Sequence, residues 1–204
     1  MRRIAAAFAA ILAFAAPVGA ATIVDTGTTL GGPAYQFHAG QYFGGVFTTA
    51  SEFNITSVSG FFSNQNGSPG TVTAELFSMS GSTVGGLLDS QSFSLAASAP
   101  LNWYGPSGLS WDILAGTYMV AFQPDSNVFG TYPGDATTPL AEYHQASNGV
   151  WQAGTNNYLA VALRVTADAV VPEPASMALL GLGLAGLAAA RARASGAARK
   201  ASQS

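Results

Sequence analysis

The chain has 204 residues, of which 8% are charged and 49% hydrophobic, and it contains no cysteine. Missing thiols exclude a cysteine nucleophile, a disulfide framework and any thiolate metal site. Between residues 22 and 168 nine carboxylates stand against one base, Arg164, a net of −8, which excludes a nucleic-acid partner because phosphate binding needs a basic face.

Arg2 and Arg3 precede an apolar run from Ile4 to Ala16 and a small-residue site at Val18-Gly19-Ala20. That is the order of a secretory signal peptide over residues 1–21, removed after Ala20 or Ala21. Residues 22–168 then make one domain, long enough to bury a core. Export places it in an oxidising space, yet with no disulfide its packing must hold it alone.

Ile23-Val24 begins a strand, and Thr26 to Pro33 reads as a loop. Gln41 to Thr49 is aromatic and β-branched, as paired strands are. Phe53 to Ser63 changes apolar phase midway, which predicts a bulge between Ser57 and Gly60. Asn64 to Gly70 (NQNGSPG) is a turn. In the following strand, Thr71 to Ser78, Val72, Ala74 and Leu76 alternate with Thr71, Thr73 and Glu75. Gly81 to Gly86 is a second turn. Leu87 to Leu95 is a strand with Asp89 and Gln91 on the face of Phe93, which predicts an edge or half-exposed position.

Ala96 to Gly108 reads as a long connection carrying Trp103 and Tyr104. Leu109, Trp111 and Ile113 alternate with polar neighbours, and Thr117 to Phe122 is the clearest strand. Gln123 to Gly154, with three prolines and four glycines, reads as mostly irregular. Tyr158 to Thr166 closes the domain, with Arg164 facing solvent or a carboxylate. No stretch keeps a helical period. The expected fold is all-β, an antiparallel β-sandwich of jelly-roll-like type, with a linker from Asp168.

No G-x-S-x-G, H-E-x-x-H or P-loop occurs. Asp112, Asp125, Asp135 and Glu142 supply carboxylates for glycoside hydrolysis, but no spacing singles out a pair. Glu142 and His144 share one face of an extended segment; a surface hydrogen bond is the favoured reading over a metal ligand or base, and no metal site is assigned. Asp125-Ser126-Asn127 and Gly134-Asp135 offer loop oxygens of the kind a structural Ca²⁺ takes. Trp103, Tyr104 and Trp151 are the candidate glycan-stacking residues, with Tyr132 and Tyr143 in the same predicted loops. Thr71-x-Thr73 is the sole hint of a threonine-based ice face, and no repeat follows it.

The tail, residues 169–204, carries Pro172-Glu173-Pro174, an uncharged run from Ala175 to Ala190, then Arg191, Arg193, Arg199 and Lys200. As a helix the sixteen-residue run reaches about 24 Å, a marginal single transmembrane span. The basic end predicts a cytoplasmic C-terminus. The prolines hold their neighbours extended, a form a processing enzyme can grip. This arrangement resembles the PEP-CTERM sorting signal of exported proteins of Gram-negative bacteria. The resemblance implies recognition by an exosortase, cleavage near Pro172-Glu173-Pro174, transient anchoring in the inner membrane and release to the cell surface or extracellular matrix. It also implies an association with exopolysaccharide. The resulting expectation is a non-enzymatic surface or matrix protein without a cofactor; the alternatives are a secreted polysaccharide hydrolase and an ice-binding protein.

Overall fold

The computed structural model describes residues 19–28, 34–134, 136–147, 150–154, 162–170, 182–184 and 186–187. The predicted signal peptide up to residue 18 and the Pro172-Glu173-Pro174 motif with its basic residues lie outside these. The chain divides into two compact units, Met1–Ala169 and Val170–Ser204. In the second, residues 182–184 and 186–187 are helical. Among the described residues no helix is long and apolar enough to cross a membrane.

The first unit is nearly all β, with thirteen described strands: β1 (Ala21–Asp25), β2 (Ala34–His38), β3 (Gln41–Thr49), β4 (Phe53–Phe62), β5 (Gly70–Ser80), β6 (Thr83–Leu95), β7 (Asn102–Tyr104), β8 (Ser107–Ile113), β9 (Gly116–Pro124), β10 (Phe129–Pro133), β11 (Glu142–Ser147), β12 (Val150–Gly154) and β13 (Leu163–Ala169). They form two antiparallel sheets. In the smaller, β1, β13 and β4 lie side by side, and β7 and β8 both pair with β4. In the larger, β12, β11, β3, β9, β5 and β6 run in that order, and the β10–β2 ladder joins β3 through His38 and Gln41.

The two layers share one apolar core. Ile55, Val58, Leu163 and Val165 from the small sheet meet Phe43, Val72, Leu76, Val120 and Phe122 from the large one. Phe62 is its aromatic hub. Its ring lies 4.6 Å from Phe37, 5.6 Å from Phe122, 5.7 Å from Tyr104 and 5.7 Å from Tyr132. Strand β9 is buried on both sides: Val120 and Phe122 face this core, while Met119 and Ala121 face a second apolar cluster on the outer side of the large sheet.

Most strand expectations hold, and the departures have local causes. The bulge in β4 falls at Thr56, one residue before the predicted stretch, where the pairings to β13 and to β8 both slip. The second turn is only Gly81-Ser82, because Val84 pairs with Met79 and extends β6 back to Thr83. The segment 123–154 is not mostly irregular: β10, β11 and β12 lie in it. Strand β2 directly follows the predicted loop, in a stretch to which the sequence assigns no strand. Strand β13 runs through Ala169, so the linker does not start at Asp168.

Candidate ligand surfaces of the two sheets

The aromatic residues predicted to lie in loops all lie in strands. Trp103 and Tyr104 form β7 and are half-buried. Trp103 lies 5.4 Å from the ring of Phe61, and the Arg164 guanidinium sits 3.9 Å from its ring centre. Arg164 also donates from Nε to Asp25 Oδ1 at 3.1 Å, which supplies the carboxylate partner expected for it. The Tyr104 hydroxyl donates to the Pro100 carbonyl at 2.8 Å, and its ring packs on Phe62. Tyr132 and Tyr143 are core residues, 1% and 4% exposed. The expected exposed pair at Trp103-Tyr104 is therefore corrected: strand pairing draws both rings against the sheet.

The polar candidates are mostly occupied. Asp125 accepts the Asn127 N–H on Oδ1 and the Thr71 N–H on Oδ2, both at 2.9 Å, so its oxygens shape a turn. Asp112 accepts from the Asn54 amide at 2.6 Å on the small sheet. Glu142 meets His144 Nε2 at 2.8 Å on β11, as the shared face predicts, but His144 is only 2% exposed, so the contact is not a surface one. These three carboxylates stand on separate elements, and Asp135 lies outside the described residues. Among the described residues no group of three or more His, Cys, Asp or Glu gathers as metal ligands do. Thr73 is hydrogen-bonded to Ser92 across the β5–β6 pair.

Two surfaces stand out instead. The first is a cleft of about 730 Å³ between β6 and the 105–111 segment, where the free edges of the two sheets lie on the same side of the core. Opposite the buried Ala74 and Leu76, β6 places Gln91 and Asp89 on its core-facing side. Two polar side chains there stop the layers from closing. Phe93, Leu109 and Trp111 line the apolar part of the cleft, and Ser107 and Ser110 line its polar part. Among the described residues no hydrogen bond reaches the Asp89 carboxylate. The sequence signal was present: polar residues on the same face as Phe93 mark an opening in the core as well as an edge.

The second lies on the outer face of the large sheet. Strand register sets His144, Gly44, Ala121, Glu75 and Ser90 in one row across β11, β3, β9, β5 and β6. On one side of this row, Trp151, Ala146 and Tyr42 are aligned; on the other, Glu142, Val46, Met119, Phe77 and Leu87. The Trp151 ring is 5.2 Å from Tyr42 at 81° and 5.6 Å from Phe77 at 76°. The indole thus reaches across the middle row to the side chain of Phe77, and Tyr42 stands close enough to Glu75 to feel its charge. Burial holds the Glu75 carboxyl above its ordinary value. Burial first, and then the Glu75 charge, raise the Tyr42 phenol in turn. The sequence singles out Trp151 as a glycan-stacking candidate beside Trp103 and Tyr104, and places Glu75 opposite Val72, Ala74 and Leu76; it does not bring the two together.

The destination of the chain is set by its other unit, and there one match decides. Residues 170–194 are a PEP-CTERM protein-sorting motif. No curated protein matches this PEP-CTERM chain. A similar solved structure comprises the cysteine protease and lectin-like domains of Cwp84, a surface layer associated protein of Clostridium difficile. It is 12% identical, with a TM-score of 0.45, over 67% of this chain and 36% of that one. The PEP-CTERM chain therefore spans about a third of that structure's length.

Proposed function

We propose that this is an exported, non-enzymatic protein of the cell surface or extracellular matrix that contacts exopolysaccharide through the β6–β8 cleft. The PEP-CTERM motif carries the reading, because such a motif implies exosortase recognition and processing toward the surface. On this reading the signal peptide over residues 1–21 starts export. The tail spans the inner membrane as a single helix until cleavage near Pro172-Glu173-Pro174, and Arg191 and Arg193 hold its cytoplasmic end. The two-layer β unit is a jelly-roll-like sandwich.

Chemistry supports the contact. The cleft offers hydroxyls, an amide and one carboxylate beside the Trp111 and Phe93 rings, a lining that suits a hydroxyl-rich chain. A strongly anionic polymer is disfavoured by the surrounding −8 charge. The hydrolase and ice-binding alternatives have less support, since Asp112, Asp125 and Glu142 stand on separate elements, each bound to a neighbour, and Thr73 is hydrogen-bonded to Ser92.

The test is binding of the full chain to the producer's own exopolysaccharide, with Asp89→Asn plus Gln91→Ala as the variant. Retention of the wild type and loss in the variant is the expected result. No retention, or cleavage of the polymer, overturns the reading.

A further inference from the structure

We infer that the outer face of the large sheet holds a binding site for an organic ammonium group, formed by Glu75 with the rings of Trp151, Tyr42 and Phe77. The inference is independent of the exopolysaccharide reading, since the cleft lies on the core-facing side of β6 and this site on the opposite face.

Four observations carry it. Glu75 is half-buried on β5, one strand in from the β6 edge, and among the described residues no hydrogen bond or ion pair reaches its carboxylate. Its row neighbours Ala121, Gly44 and Ser90 carry no charge, and His144, at the far end of the row, is engaged by Glu142. The Trp151 ring meets both Tyr42 and Phe77 at steep angles, so the three rings form one cluster, and Tyr42 stands close enough to Glu75 to feel its charge. Finally, residues 22–168 contain no lysine, and their single arginine is held by Asp25 and Trp103 on the small sheet.

A desolvated carboxylate beside aromatic faces favours a cation, and rings favour one with a soft, alkylated or carbon-bound charge. A metal ion is a poor fit, because hard cations need several oxygen ligands and one carboxylate provides two. An anionic ligand would add repulsion to a group that burial already disfavours in its charged form. A neutral sugar would stack but leave the charge uncompensated. The ammonium must come from another molecule: an amine-bearing sugar polymer or a lysine side chain of a protein.

The test is a titration of the full chain, purified in dodecyl maltoside, followed by the indole N–H resonances at pH 6. The probes are n-butylammonium and, as a neutral molecule of similar shape, 1-pentanol. Saturable binding of the ammonium should move the signal that is missing from Trp151→Leu. Affinity for it should exceed that for 1-pentanol and fall roughly tenfold in Glu75→Gln, about the loss of one hydrogen bond to a charged group. Glutamine keeps the shape of the side chain, so an unchanged or raised melting temperature in that variant separates lost binding from misfolding. Equal affinity for 1-pentanol, unchanged binding in Glu75→Gln, or no saturation overturns the inference. A glucosamine tetramer and a tetralysine peptide then separate the two sources, and tighter binding of either identifies its class.

Discussion

Asn64 shows how much one side chain can hold. It is fully buried at the mouth of a seven-residue loop. Its amide donates to the carbonyls of Ser68 and Ala96, both at 3.0 Å, and its oxygen accepts the N–H groups of Asn66 and Phe129. Three loop and strand ends are thereby fixed on one group. Asn64→Asp keeps the shape but removes both donors and buries a charge, so it should cost about 2–4 kcal/mol in chemical denaturation. Glu75 acts in the opposite sense. Its folded-state value is raised by burial, so the folded chain holds this proton to higher pH than the unfolded one. Stability from this group is greatest below the ordinary carboxylate range and declines as pH rises through the raised value. Glu75→Gln should therefore raise the melting temperature slightly at pH 7, and the gain should vanish near about pH 3. The carboxylate is partly exposed, so solvent screening keeps the effect small.

At the scale of strands, what was legible followed alternation. Val72, Ala74 and Leu76, and again Leu109, Trp111 and Ile113, point inward as their period-two pattern predicts. Strand β9 was readable for another reason: its unbroken apolar run is what burial on both faces demands. Strands β10 to β12 were hidden because Gly130, Pro133 and the polar Glu142-Tyr143-His144-Gln145 break any simple pattern. Gly130 is there because an added Cβ would overlap the Ser63 carbonyl oxygen where β10 passes β4, a tertiary reason that local sequence does not carry. Trp103 and Tyr104 were misread for a related cause: a three-residue strand is defined by its partner, here Gly60 to Phe62. The β5–β6 hairpin gives the element-scale prediction. Gly81 takes a φ of 57° at the first position of its two-residue turn. Gly81→Ala should cost about 1–2 kcal/mol, measured by thermal denaturation, because a Cβ is strained there.

Over the whole molecule, destination was legible and ligand chemistry was not. Pro172-Glu173-Pro174, the apolar run and the basic end are contiguous, so a single stretch of sequence carries the sorting motif. The candidate ligand surfaces are assembled from strands whose order only folding reveals: Glu75 and Trp151 are 76 positions apart in sequence and meet around Tyr42. Processing gives the prediction at this scale. Mass spectrometry of protein recovered from the cell surface should find a C-terminus close to Pro172 to Pro174, and a species ending at Ser204 there would argue against cleavage.

The lone guanidinium between Asp25 and Trp103 has a consequence outside binding and folding. Proteases that cut after lysine or arginine find one bond in residues 22–168, Arg164–Val165. That bond lies inside β13, flanked by β1 and β4, with Leu163 and Val165 buried on either side of the arginine. Cutting it requires the central strand of the small sheet to leave its place, so trypsin should leave this unit whole under conditions where a chymotrypsin-like enzyme, offered aromatic residues on the outer faces, nicks it. A protein exposed to a digestive environment gains durability from what it omits: all but one of the usual cleavage handles lie at the two ends of the chain.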